Sequence, residues 1–175
     1  MQLYFLRHGP AGDSESWQGT DDARPLTPQG RELMHSVAEG LHALELGVDA
    51  LVTSPLQRAS ETAAIVADAL QLTPTKASEL AKDCDLDQLA LVLRRLPERE
   101  AQAVIITGHE PDLSRMVAHC IGDRSAHIHL KKGACCRVDV PGPVTDGKSL
   151  SGKGTLEWLL TPALITAIGG KPKNK

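Results

Sequence analysis

The run Ala103-Val104-Ile105-Ile106-Thr107, leading into Gly108-His109-Glu110-Pro111, is the most continuous β-type stretch of the chain. Four of its first five residues are β-branched and no polar residue interrupts them. A strand without polar alternation is buried on both faces, which points to the interior of a parallel sheet covered by helices on either side. Working outward, Leu3 to Leu6 reads as a short apolar strand and Ala50-Leu51-Val52-Thr53 as a second buried one. Thr27-Pro28 reads as an N-cap with proline at the first helical position, followed by Leu33, Val37, Leu41 and Leu44 at helical spacing. Ser54-Pro55 is expected to open a helix carrying Ala59, Ala63, Val66 and Leu70 along its inner face. Further helices are expected over 86–96, with Leu86, Leu89, Leu93 and Leu96, and over 111–121. Two last strands, 134–140 and 155–160, flank a Gly/Pro/Asp-rich connection and suggest an antiparallel pair.

Strands alternating with helices of this length imply an α/β three-layer sandwich, its mixed central sheet mostly parallel and flanked by helices. With 175 residues, 41% of them hydrophobic, and a formal net charge of -3, residues 1–170 are expected to form one domain. Such a domain buries roughly two-thirds of its unfolded surface. The last five residues, Lys171-Pro172-Lys173-Asn174-Lys175, read as a basic tail. No apolar run reaches the ~20 residues that span a bilayer, and the start lacks the basic and small-residue features of a signal peptide, so the expectation is a cytoplasmic protein without membrane contact. The mildly acidic balance and the scattered Tyr4, Phe5, Trp17 and Trp158 argue against nucleic acid as a partner. Of the four cysteines, Cys135 and Cys136 are adjacent and should face opposite sides of a strand, while Cys84 and Cys120 fall in stretches read as helical. Free thiols are expected.

Ligands of open parallel sheets bind beyond the carboxyl ends of the strands. The three strands named first end in Arg7-His8-Gly9-Pro10, in Thr53-Ser54-Pro55-Leu56-Gln57-Arg58-Ala59-Ser60-Glu61-Thr62, and in Thr107-Gly108-His109-Glu110-Pro111. Each piece alone is a weak signal, since a loop histidine or an arginine early in a helix is commonly a surface residue. Their arrival at one sheet edge is not. Phosphoryl transfer needs an in-line nucleophile with positive charge and donors around the equatorial oxygens. Arg7 and Arg58 supply planar, permanently charged forks. A neutral His8 imidazole attacks phosphorus directly when its other nitrogen is held by an acceptor such as a backbone carbonyl. Gly9 permits a tight backbone approach. His109 would donate to a phosphoryl oxygen, contributing ~2–4 kcal/mol if it behaves like one oxyanion-hole donor. No metal or cofactor is called for by this set.

The three blocks Leu6-Arg7-His8-Gly9, Thr53 to Ala63 and Gly108-His109-Glu110-Pro111 resemble the signatures of the histidine phosphatase superfamily, with its phosphoglycerate-mutase-like fold. Within it, Arg24-Pro25-Leu26-Thr27-Pro28-Gln29-Gly30, Lys132-Gly133 and Glu157-Trp158-Leu159-Leu160-Thr161-Pro162 are similar to the SixA-type phosphohistidine phosphatases. The resemblance implies that His8 becomes phosphorylated, that Arg7, Arg58 and His109 hold the phosphoryl group, and that water hydrolyses the intermediate, without metal or organic cofactor. It further implies a phosphohistidine-bearing protein, such as a phosphotransfer domain, as substrate. The alternative is a phosphatase of small monoesters, and a more distant one is a non-catalytic phosphate-binding module.

A general acid is harder to place, because no motif surrounds one. Glu79, in Ala77-Ser78-Glu79-Leu80, occupies roughly the position where larger members carry theirs, with Asp83 and Asp13 as rivals. Arg24 has two readings, a third positive group at the phosphate or a salt bridge to Asp21 or Asp22. His119, His127 and His129 with Cys120 match no structural zinc spacing. The short span between the second and third helical stretches implies a shallow site.

Overall fold

The computed structural model describes residues 1–96, 101–122 and 125–170. The chain runs β1 (Gln2–Arg7), α1 (Pro28–Ala43), β2 (Ala50–Thr53), α2 (Gln57–Leu70), β3 (Pro74–Lys76), α3 (Leu86–Arg94), β4 (Ala103–Gly108), α4 (Asp112–Cys120), β5 (Cys135–Asp139), α5 (Gly147–Leu150), β6 (Thr155–Leu160) and α6 (Pro162–Gly169). The strands form one six-stranded sheet in the order β3-β2-β4-β1-β5-β6. The pairings β2–β3, β2–β4 and β1–β4 are parallel, whereas β1–β5 and β5–β6 are antiparallel. The architecture is the α/β sandwich with a mixed, mostly parallel sheet that the sequence predicts.

The core splits along the two faces of that sheet because strand side chains alternate. Leu3 and Phe5 of β1 face one layer with Val104 and Ile106 of β4, where α3 and α4 supply Leu89, Leu93, Leu113 and Val117. Tyr4 and Leu6 face the other with Ile105, where α1, α2 and α6 supply Val37, Leu41, Val66 and Ile165. Every residue of β4 is buried, as expected of a strand flanked on both sides and covered on both faces. Each such Leu, Ile or Phe contributes about 1.5–3 kcal/mol relative to an exposed position. Cys135 and Cys136 fall in opposite layers, and all four cysteines are free and buried.

Several boundaries differ from the sequence reading. Ser54-Pro55 does not open α2; the Ser54 N–H donates to Thr107 O, extending the strand ladder, and the helix starts at Gln57 with Leu56 as N-cap. Cys84 precedes α3 instead of lying in a helix, because Asp85 caps it: the Asp85 carboxylate accepts from Gln88 N–H while the Gln88 side chain accepts from Asp85 N–H. Leu96 follows that helix yet stays buried. The sequence reading has no counterpart to β3, α5 or α6. β3 is three residues long with a proline, and α5 is a single capped turn of four residues, so neither shows a period. α6 repeats the signal that opens α1, Thr161-Pro162, with the Thr161 hydroxyl accepting from Leu164 N–H. Its only buried side chain among the described residues is Ile165, seated on α1. Among the described residues no helix is long and apolar enough to cross a membrane. The tail 171–175 lies outside the described residues.

Candidate active site

The parallel register sets the site. Arg7 pairs with Gly108 at the ends of β1 and β4, and Thr53 of β2 pairs with Thr107, so the three chains leave the sheet nearly level with one another. The next residues, His8 and His109, stand side by side with ring centroids 5.1 Å apart. Arg58 reaches the same place from the first turn of α2. Together with Arg7 these side chains line a cleft of about 480 Å³, whose rim is formed by Ala11, Gly12, Asp13, Ser14, Arg24, Glu110 and Lys132. A larger cleft, about 860 Å³ and lined by Met1, Arg94, Arg95 and Gln102 among others, has neither an imidazole nor a carboxylate among the described residues that line it. Chemistry, not size, marks the site.

His8 is 6% exposed, and its Nδ1 lies 2.7 Å from Gly9 O. A carbonyl only accepts, so Nδ1 carries the hydrogen and Nε2 keeps its lone pair. Burial pushes the His8 pKa down to about 3, against the opposing hydrogen bond to Gly9 and with further help from His109, Arg58 and Arg7. The ring is therefore neutral and nucleophilic near pH 7. His109 is neutral too, at about 4, chiefly through burial and then through Arg58 and Lys82. Its Nε2 lies 2.8 Å from Ser54 Oγ, which accepts the Leu56 N–H at 3.3 Å. The Ser54 hydroxyl is able to donate to Nε2, the pairing that puts the hydrogen of the neutral His109 ring on Nδ1.

Three buried nitrogens on cleft residues have no partner: Arg7 Nε, Arg58 Nε and His109 Nδ1. Buried donors are rarely left unpaired without a functional reason, and three around one cleft suit a tetrahedral oxyanion. Other nitrogens of the two arginines tie them to the scaffold. Arg7 Nη1 donates to Leu130 O at 2.7 Å, and Arg58 donates to Asp21 O at 2.8 Å and Asp21 Oδ2 at 3.2 Å. The structure thus brings Arg7, His8, Arg58 and His109 together.

Gly9 contributes by its backbone. Its N–H donates to Thr62 Oγ1 at 3.0 Å, and Thr62 donates in turn to Arg58 O at 2.8 Å, so the loop after β1 is tied to α2. A Cβ on Gly9 would sit 2.5 Å from Met34 Cγ of α1, and one on Gly30 would sit 2.0 Å from Pro10 O. Only glycines let the first turn of α1 press against this loop.

Arg24 lines the cleft and takes the salt-bridge role as well: Nε and Nη2 donate to Asp21 Oδ1 at 2.9 and 2.7 Å, and Nη1 donates to Gly12 O. Asp21 also meets Lys82 at 2.9 Å, and with Lys82 and Arg24 as the leading causes its carboxyl is held far below the usual range. The exposed 12–25 arm, pinned at its base by the Ala11–Leu26 bridge, is thereby locked onto Arg58. Glu79 does not line the cleft. It pairs with Arg95 at 2.8 Å, and its own backbone N–H and the Ser78 hydroxyl lower its pKa, the wrong direction for an acid that must hold a proton. Asp83 is absent from the cleft as well, while Asp13 is on its exposed rim. Among the described residues no group of three or more His, Cys, Asp or Glu is placed to hold a metal ion, His119, His127, His129 and Cys120 included.

Ser54, Thr62, Asp21 and Lys132 escape a motif-level reading of function. Thr62 stands one helical turn after Arg58, a spacing that could have flagged it. Ser54 and Lys132 lie in quoted blocks, but what each touches depends on how strands and loops meet.

The family model for the histidine phosphatase superfamily (branch 1) matches residues 3–103. The chain belongs to the histidine phosphatase superfamily. An uncharacterised protein of Picosynechococcus sp. is 37% identical over 134 residues, covering 75% of this chain and 81% of that protein. The phosphohistidine phosphatase SixA of Escherichia coli K12 is 28% identical over 167 residues, covering 93% and 94%. A solved structure of the protein histidine phosphatase SixA complexed with tungstate superposes with a TM-score of 0.76 at 25% identity, covering 93% of this chain and 98% of that one. The histidine phosphatase likeness extends beyond the matched 3–103 segment, since both SixA comparisons also take in the antiparallel half of the sheet.

Proposed function

We propose that this chain is a phosphohydrolase that passes the phosphoryl group through His8 and acts on phosphohistidine displayed on a protein. The observation that carries the reading is the buried, neutral His8 ring, its Nδ1 held by Gly9 O and its Nε2 free, in a cleft with three unpartnered donors. Nε2 attacks phosphorus while Arg7, Arg58 and His109 receive the phosphoryl oxygens, and water then displaces His8. Arg24 and Gly9 support the same cage, one from the rim and one through its backbone.

The SixA relatives, one of them holding tungstate, support the phosphoprotein substrate. So does the region between α2 and α3, where residues 71–85 form only a short strand and a single 3₁₀ turn at Ser78–Leu80, leaving no room for a large cover. The partner is thus a phosphohistidine-bearing phosphotransfer domain, and the reaction draws on side chains alone. Incubation with such a domain, radiolabelled on its histidine, and in parallel with a panel of small phosphate monoesters tests this. Release of label from the domain, abolished in His8→Ala, is expected. Hydrolysis of the small esters alone would overturn the substrate assignment, and no hydrolysis of any would overturn the enzyme reading in favour of a binding module.

A further inference from the structure

We propose that Glu110 is the acid that protonates the leaving group, the role for which Glu79 is misplaced. This inference rests on the reading of His8 as nucleophile. Glu110 follows His109 directly, at the turn from β4 into α4, and lines the same cleft as His8, Arg7 and Arg58. Its two oxygens are in different states. Oε2 accepts from the Ser114 hydroxyl one turn further along, which anchors the carboxyl, while Oε1 is buried without any partner.

The surroundings favour its protonated form. Burial raises the Glu110 pKa, with the Ser114 hydrogen bond, Arg7 and His129 opposing. The groups that face it are Arg7 from β1, His129 and Lys132 from the segment before β5, Cys136 from β5, and Ser114 on α4. Asp13, the other carboxylate at the cleft, is exposed.

In the first half-reaction on a phosphate ester, the substrate type used in the test, the Nε2–phosphorus bond forms as the bond from phosphorus to the leaving oxygen breaks. The Glu110 proton moves to that oxygen, and the product leaves as a neutral alcohol. In the second, water adds to phosphorus, its proton passes to the Glu110 carboxylate, and the electron pair of the nitrogen–phosphorus bond returns to Nε2. Phosphate departs and the acid is restored.

The test compares formation of the His8 phosphoenzyme by rapid quench from p-nitrophenyl phosphate, whose leaving group departs unaided, and from β-glycerol phosphate, whose alkoxide needs a proton. Glu110→Gln should slow phosphorylation by β-glycerol phosphate about a hundredfold, within the usual range for general acid catalysis, and that by p-nitrophenyl phosphate by less than about threefold. Glu110→Asp, which keeps the acid, should recover part of the loss. Ser114→Ala removes a hydrogen bond that favours the carboxylate, so the basic limb of the β-glycerol phosphate profile should move to higher pH. An equal loss on both substrates, no loss on either, or a basic limb unmoved by Ser114→Ala overturns the proposal and leaves the nucleophile assignment standing. If the wild-type chain forms no phosphoenzyme from either substrate, the nucleophile assignment fails as well.

Discussion

The parallel half of the sheet and its antiparallel half meet the same cleft in different ways. β1, β2 and β4 run side by side in one direction, so each delivers its exit to the same edge, and the residues just past those exits are His8, Ser54 and His109. β5 runs the other way and offers its entrance. The segment before it supplies Leu130 O to Arg7, a Gly133 N–H to Arg7 O, and Lys132 on the rim. The parallel strands place the groups proposed to react, and the antiparallel pair with α6 props and borders them. The difference follows from geometry, because only parallel neighbours bring successive loops together at one end.

The harshest way to break this contrast is His8→Ala. Turnover of p-nitrophenyl phosphate should fall at least about a thousandfold, as for a nucleophile acting with its partners, and the acid-labile phosphoenzyme should vanish. Substantial residual activity would move the chemistry elsewhere in the molecule. Next come Arg58→Ala and His109→Ala, each expected to lower kcat about 10²–10³-fold with a smaller change in KM. Lys132→Ala, at the entrance of β5, should cost less than about tenfold, and a loss matching that of Arg58 would erase the distinction between the two halves. Ile165→Ala sharpens it from the other side. Removing the buried anchor of α6 should lower stability by about 2–5 kcal/mol in urea titrations while kcat at a folded temperature stays put.

The smallest effect is on pH. His8 and His109 titrate at about 3 and about 4 when folded, below the ordinary 6.5, so the unfolded chain binds their protons first as pH falls. The stability they allow is complete above about pH 6.5 and is lost progressively from there down to about 4 for His109 and about 3 for His8. Urea midpoints at pH 7 and pH 4.5 should therefore lie closer together in His109→Asn than in the wild-type chain. An unchanged gap would show that His109 is not held neutral by the fold.

How much of this was legible in the chain itself varied with the range of the interaction involved. Ala103 to Thr107 announced a covered strand because burial on both faces leaves a local signature, and β2 matched its expected bounds for the same reason. The cap of α1 is likewise local, and so are those of α3 and α6, where the Asp85 and Thr161-Pro162 signals were present but unread. Arg7, His8, Arg58 and His109 were legible as a set because each follows a strand whose direction the strand–helix alternation predicts.

Glu79 shows the limit. Its place in the chain was plausible, but whether a carboxylate pairs with Arg95 or faces a phosphate depends on how a loop settles on neighbours far away in sequence. Arg24 and Asp21 show the same, since one carboxylate holding Arg24, Arg58 and Lys82 draws on three separate stretches. The sequence alone determined the parallel sheet and the edge where Arg7, His8, Arg58 and His109 meet, because these follow from local burial patterns and strand direction. Only the tertiary structure decided which His8 nitrogen is free, that Ser54 stands behind His109, and that Glu110 is the buried carboxyl in the cleft, because hydrogen-bond partners and burial arise only when distant segments pack together.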